Sequence, residues 1–276
     1  MVKKNTSTIF IVLVFLAGMA VFLYPPFSDY VYARNSSRAI TSHTEAISKM
    51  SKEEIQAEKE AAYRYNASLF NNAVVLTDPF EPDVYPITDG NYDELLATDD
   101  MMAFVEIPAI KLNLPIYHHT TGEALAKGVG HLENTSLPVG GKSTHAVLSA
   151  HCGLPSAELF TDLHLLKEDS IINIHVLDEM LVYRVYSTEV VLPDDTSSLH
   201  IKENKDEITL FTCTPYGKNT HRLLVHAERI SAEESEEIKE PVAAIELTWP
   251  DFSKIAALSI GIVFVILLIS SGIKNK

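Results

Sequence analysis

The chain has 276 residues, 46% hydrophobic and 21% charged, enough for one sizeable globular domain with apolar residues left over for membrane segments. Of its 22 basic residues, the five lysines Lys3, Lys4, Lys254, Lys274 and Lys276 flank two apolar runs; the other 17 face 37 acidic residues, a balance that excludes a nucleic-acid binder. Two cysteines are too few for a disulfide scaffold.

Residues 9–24 form an almost wholly apolar run behind Lys3 and Lys4. A second, longer run, 255–273, has Trp249 ahead of it and Lys274 and Lys276 behind it. Each is close to the roughly 17 to 25 residues that cross a bilayer. Lysines at both chain ends predict cytoplasmic termini, hence a two-pass cell-membrane protein whose middle lies outside. A cleavable signal peptide competes for the first run, with Val31-Tyr32-Ala33 as a weak small-residue site. Pro25, Pro26, Phe27 and Tyr30 occupy the region where cleavage needs small polar residues, which favours an uncleaved anchor over 1–24.

The next segment, 25–76, reads as helical. Between 36 and 72 it is rich in Ala, Glu, Lys and Ser, with Ile40, Ile47, Ile55, Ala62 and Leu69 recurring at helical spacing. Ser51 and Glu54 make a capping box that starts the second of two helices after a break near Met50. The apolar stripe is expected to dock on the chain's own body, which leaves the monomer as default; a dimer contact is the alternative. A proline-punctuated loop, Thr77-Asp78-Pro79-Phe80-Glu81-Pro82, follows.

Strand candidates then succeed one another at 103–107, 114–118, 145–150, 170–177, 180–192, 207–212 and 222–228, with short helical pieces at 122–127 and 157–167. Many strands with few helices predict a mainly-β closed barrel over 91–232. An acidic juxtamembrane linker, 233–253, and the second span, 254–276, complete the chain.

The most informative stretch is Thr209-Leu210-Phe211-Thr212-Cys213-Thr214-Pro215-Tyr216-Gly217-Lys218-Asn219-Thr220-His221-Arg222-Leu223-Leu224-Val225. It reads as a hairpin that carries Cys213 to the end of one strand and brings Arg222 back at the start of the next. A thiol at a strand end is reachable, and a guanidinium beside it stabilises negative charge. A buried cysteine with a solvated arginine fits the spacing equally well. His151 ends the apolar run 145–151, just before Gly153 and Pro155 break the strand, and is the best-placed base among eleven histidines. Cysteine and histidine work as nucleophile and general acid/base because an imidazolium favours the thiolate and can protonate a leaving amine.

With His-Leu-Glu-Asn-Thr-Ser-Leu-Pro-Val-Gly-Gly (131–141) and Leu-Ser-Ala-His-Cys-Gly-Leu-Pro (148–155) upstream, this string closely resembles the sortases of Gram-positive bacteria, and among them the class C, pilin-polymerising group. The resemblance covers most of 79–230. It implies a sortase β-barrel and a transpeptidase in which Cys213 is the nucleophile, His151 the general acid/base and Arg222 the stabiliser of substrate or oxyanion. The implied substrates are pilin subunits with LPxTG-like sorting signals, cut between Thr and Gly through a thioester and joined to a lysine amine of another pilin. Asp78, Pro79 and Phe80, within 77–90, resemble the class C lid; carried over, Asp78 engages Arg222 or Cys213 and Phe80 stacks over the thiol. Ala150 and Cys152 depart from the family's Ser-Gly-His-Arg-Gly pattern, so any role of that second arginine does not carry over.

Cys152 also raises a regulatory disulfide with Cys213, against which stands the alternation of side chains along a strand. No compact ligand spacing links His118, His119, His131, His164, His175, His200 and His226, so neither a metal nor a cofactor is expected. A serine hydrolase lacks its Gly-x-Ser-x-Gly elbow, and a thiol-disulfide oxidoreductase its Cys-x-x-Cys. The alternatives that stay open are a housekeeping sortase acting on cell-wall precursor and a non-catalytic pilus docking protein.

Overall fold

The computed structural model describes residues 3–70, 75–80, 91–231 and 233–234. The second span and most of the acidic linker lie outside the described residues. Among the described residues two compact units emerge, one holding residues 3–34 and 155–157 and the other 35–154 and those from 158 on. Helix α1, Lys3–Ser48, does not stop at Tyr24 but continues through Pro25 and Pro26. A proline removes one amide donor and one carbonyl bond, a local loss that a long apolar helix survives. Among the described residues α1 is the one helix long and apolar enough to cross a membrane. Ile9, Phe10, Leu13, Val21 and Phe22 are all exposed along it.

The second half of α1 and helix α2, Lys52–Phe70, form the helical hairpin expected from the stripe. The capping box closes reciprocally: Ser51 N–H donates to Glu54 Oε2 at 2.7 Å and Glu54 N–H to Ser51 Oγ at 3.2 Å. Ile40, Ile47, Ala62 and Leu69 are buried, so the stripe docks on the chain's own barrel. Asn66, 2% exposed, fixes that docking. Its side chain donates to Leu137 O at 3.1 Å and accepts from Leu137 N–H at 2.7 Å.

The barrel has eight strands: β1 Ala103–Ile107, β2 Leu112–His118, β3 Val129–His131, β4 Thr144–Ser149, β5 Ile171–Val176, β6 Glu179–Val191, β7 Asp206–Thr214 and β8 His221–Arg229. They close in the order β1-β2-β3-β4-β7-β8-β6-β5, which leaves no open edge. Seven match the sequence reading to within two residues at either end. The eighth, β3, has only three residues, too few to show alternation. Helix α3, Gly122–Lys127, forms as expected, with Thr121 Oγ1 accepting from Ala124 N–H at 3.3 Å.

The helical piece expected over 157–167 shrinks to a single 3-10 stretch, Thr161–Leu165. Leu159 has φ +42°, outside right-handed helical geometry, and cannot belong to the same helix. Leu163 and Leu166 are nonetheless buried, so the apolar spacing signalled burial, not helix.

Two connections decide where chemistry can occur. β4 pairs β7 in parallel, Ser149 opposite Phe211, and β7 pairs β8 antiparallel, Cys213 opposite Arg222. The C-terminal ends of two parallel strands therefore open at one rim, and the hairpin partner returns there.

Candidate active site

Cys213 is the next-to-last residue of β7, 7% exposed, and Arg222, also 7% exposed, stands directly across the ladder. Directly opposed residues on one face of a sheet are close enough to interact. His151 lies two residues past β4. Its strand is tied to that of Cys213 at this point: Ala150 N–H donates to Phe211 O at 3.2 Å, and the buried Thr212 hydroxyl donates to Ala150 O at 2.6 Å. Phe160 N–H donates to His151 O at 3.0 Å, fixing the loop from its far side. Thr212 escaped the sequence reading because it was taken only as strand filler. Its signal was the polar side chain inside an apolar run, one residue before the thiol.

The strap at 75–80 lies on this face. Asp78, 7% exposed, takes both Nε (3.0 Å to Oδ1) and Nη2 of Arg222, while Arg222 Nη1 donates to the carbonyls of Asn219 and His221 at 3.0 and 3.1 Å. Such a fork is the strong, planar kind of ion pair. Asp78 Oδ1 also accepts from Phe80 N–H at 3.1 Å, turning the strap so that Phe80 faces inward. The Phe80 ring lies 5.4 Å from that of His151 and 6.0 Å from that of Phe211, with the Arg222 guanidinium 5.6 Å from its centre. Below it, Leu76 joins Leu132, Val147, Leu199, Phe211 and Leu224 in one apolar cluster. The rest of 77–90, from residue 81, lies outside the described residues.

Burial governs the charges. It pushes the Cys213 thiol up to about 11; Arg222 opposes the rise, while Asp78 and Cys152 add to it. Burial also lowers His151 below the usual imidazole value. Under the strap, burial therefore disfavours both the thiolate of Cys213 and the imidazolium of His151. Cys152 is half-buried, and burial and then Asp162 raise its thiol. Both cysteines are free thiols. No group of His, Cys, Asp and Glu suited to a metal occurs among the described residues.

An eight-stranded closed barrel with a thiol and a guanidinium facing each other at one rim is the architecture of a known enzyme class. The sortase-domain family model matches residues 105–230. A solved Streptococcus agalactiae sortase C1 is 41% identical, superposes with a TM-score of 0.65, and covers 71% of this chain and 96% of its own. A solved Streptococcus pneumoniae sortase C, described as informative on catalysis and pilin substrate specificity, is 40% identical with a TM-score of 0.65 and covers 70% of this chain and 97% of its own. Sortase A of Streptococcus agalactiae serotype III (strain NEM316) is 26% identical over 226 residues, 79% of this chain and 82% of that protein. The chain belongs to the sortase family of cysteine transpeptidases. Within that family it resembles the class C, pilin-polymerising members.

Proposed function

We propose that this sortase is a membrane-anchored pilin polymerase. The Cys213 sulfur attacks the threonine carbonyl of an LPxTG-like signal, the carbonyl oxygen becomes an oxyanion, and Arg222 stabilises it. His151, holding the proton taken from the thiol, gives it to the glycine amine as the C–N bond breaks. A lysine amine of a second pilin then attacks the thioester, His151 takes the proton that the amine loses and returns it to the sulfur as the C–S bond breaks, and an isopeptide bond and the free thiol result. The catalytic domain works outside the membrane, with α1 as one anchor and 254–276 as the second.

The observation that carries this reading is the cross-strand pair Cys213 and Arg222, with His151 at the end of the adjoining parallel strand. Asp78, Pro79 and Phe80 act as a lid: Asp78 occupies the guanidinium that would otherwise face an oxyanion, and Phe80 covers the imidazole. A lid that excludes water would also protect the thioester from hydrolysis. A streptococcal relative described by its pilin substrate specificity supports the same substrate class.

Intact-mass spectrometry of the detergent-solubilised chain with a pilin carrying the signal tests the proposal. An acyl adduct that disappears in Cys213→Ala and proceeds to lysine-linked pilins is expected. An adduct released only by a glycine amine of cell-wall precursor would replace the reading with the housekeeping one, and the absence of any adduct would leave a docking protein.

A further inference from the structure

A second built cluster lies away from the thiol, where the chain leaves the strap and enters the barrel. Tyr92, wholly buried, opens a 3-10 turn at Tyr92–Glu94, and its ring packs among those of Tyr65, His118, His119 and His131. The three histidines around it have different hydrogen-bonding duties, and those duties fix their charge.

His119 bonds Glu133 Oε1 through Nδ1 at 2.6 Å and Asp93 Oδ1 through Nε2 at 2.5 Å. Ionised carboxylates only accept, so both ring nitrogens must carry hydrogen and the ring is an imidazolium. His131 differs. Its Nε2 faces Ser136 O at 2.8 Å, an acceptor, and so donates; its Nδ1 accepts from the Tyr92 hydroxyl at 2.8 Å, giving a neutral ring. His118 meets Leu95 O through Nε2 at 2.7 Å. The Tyr92 hydroxyl in turn accepts from His119 N–H at 3.4 Å. Charged and neutral histidines thus share one tyrosine.

Two further features single out His119. Its φ is +66°, a left-handed conformation that costs a non-glycine residue on the order of 1 kcal/mol or more. Glu133 is 2% exposed, its second oxygen is buried without a hydrogen-bond partner among the described residues, and its first oxygen meets His119. A strained backbone is kept here to hold a cation between a buried carboxylate on the loop after β3 and an exposed one on the strap's exit.

We propose that Asp93, His119 and Glu133 form a proton-held latch that fastens residues 91–96 to the barrel and, through them, keeps the strap seated. The link to the strap rests on reading residues 75–80 as a lid. The two carboxylates raise His119 above the ordinary 6.5, outweighing its partial burial. A raised folded-state value means the stabilisation is complete below 6.5 and disappears as pH climbs through that raised value. Burial sends His131 the other way, to about 4, and lowers His118; both stay neutral in this range. Burial pushes Tyr65 up to about 12 and raises Tyr92 well above the ordinary phenol value, so neither adds charge.

The test uses the full chain in detergent, with His119→Gly as the chief variant, because glycine suits the left-handed backbone and lets the fold survive while the cation is removed. Hydrogen-exchange protection of the amides at 92–96 is followed from pH 6 to 9 and corrected for intrinsic exchange. Wild type should lose about tenfold protection for each pH unit by which His119 is raised, and H119G should show low, pH-independent protection. The same pH step in H119G, or none in wild type, overturns the latch. Alkylation of Cys213 by iodoacetamide, taken as the ratio of H119G to wild type at each pH, should exceed one at pH 6 and approach one at pH 9. Asp78→Ala separates the two ideas, since it frees the strap without touching the latch. Should D78A leave alkylation unchanged, the lid reading fails, and the latch is then decided by exchange alone.

Discussion

Among the described residues, two ion pairs fasten the stretch between α2 and β1 to the barrel, and they differ in what holds the positive charge. At the candidate active site the cation is Arg222, charged at any physiological pH and locked in a planar fork on Asp78. At the strap's exit the cation is His119, charged only while two carboxylates keep its proton. Both sites bury an acid, Asp78 at 7% exposure and Glu133 at 2%. The arginine clamp therefore keeps its cation as pH rises, whereas the histidine latch loses its cation as pH climbs through a value raised above the ordinary 6.5. One chain thus carries a permanent and a conditional fastening on the same segment.

The harshest way to break the comparison is to remove the chemistry that the arginine clamp covers. Cys213→Ala should abolish the acyl adduct, and Arg222→Lys should cut transpeptidation by about 100-fold or more, because a point charge replaces the fork. Single-turnover adduct formation checks both, and near-wild-type turnover in R222K would remove Arg222 from the mechanism. Asp78→Ala comes next. Breaking a buried pair by deleting one partner costs about 3 to 5 kcal/mol, here charged to strap docking, so alkylation of Cys213 should rise at least tenfold. The Cys213 thiol should titrate lower in the same variant, since burial and Asp78 both raise it.

Acid sharpens the contrast from the other side. His131 is held neutral to about 4, so the folded state binds fewer protons than the unfolded chain between 6.5 and that value, and stability falls as pH drops through the window. Thermal unfolding from pH 7 to 4 should show this loss, and His131→Gln should reduce it, leaving the share of His145, which burial also lowers to about 4. The smallest effect belongs to the scaffold. Asn66→Ala leaves the Leu137 amide and carbonyl unpaired, at about 1 to 3 kcal/mol, and should lower the unfolding midpoint without altering either pH response.

Much of this was legible in the residues. Apolar and β-branched runs bounded by turn residues marked seven of the eight strands, the Ser51 and Glu54 pair marked the start of α2, and strand-to-turn punctuation put Cys213, Arg222 and His151 at strand ends. The three-residue β3 was illegible because so short a run shows no period. The helix expected over 157–167 was misjudged because apolar spacing reports burial, and the left-handed Leu159 decides the backbone. The histidine cluster was passed over for a related reason. His118, His119 and His131 were weighed as metal ligands by spacing, while their partners Tyr92, Asp93 and Glu133 come from elements that only folding brings together.

The sequence by itself determined the local choices: periodicity, caps, turns, the strand-end placement of the thiol, and the apolar length of the first run. Local backbone energetics set these, and neighbours in the chain suffice to specify them. The tertiary structure decided which charges meet. Asp78 finds Arg222 144 positions away, and His119 becomes an imidazolium because Asp93 and Glu133 converge on it from two other parts of the fold. Long-range electrostatics and burial depend on barrel closure, and no local pattern encodes them.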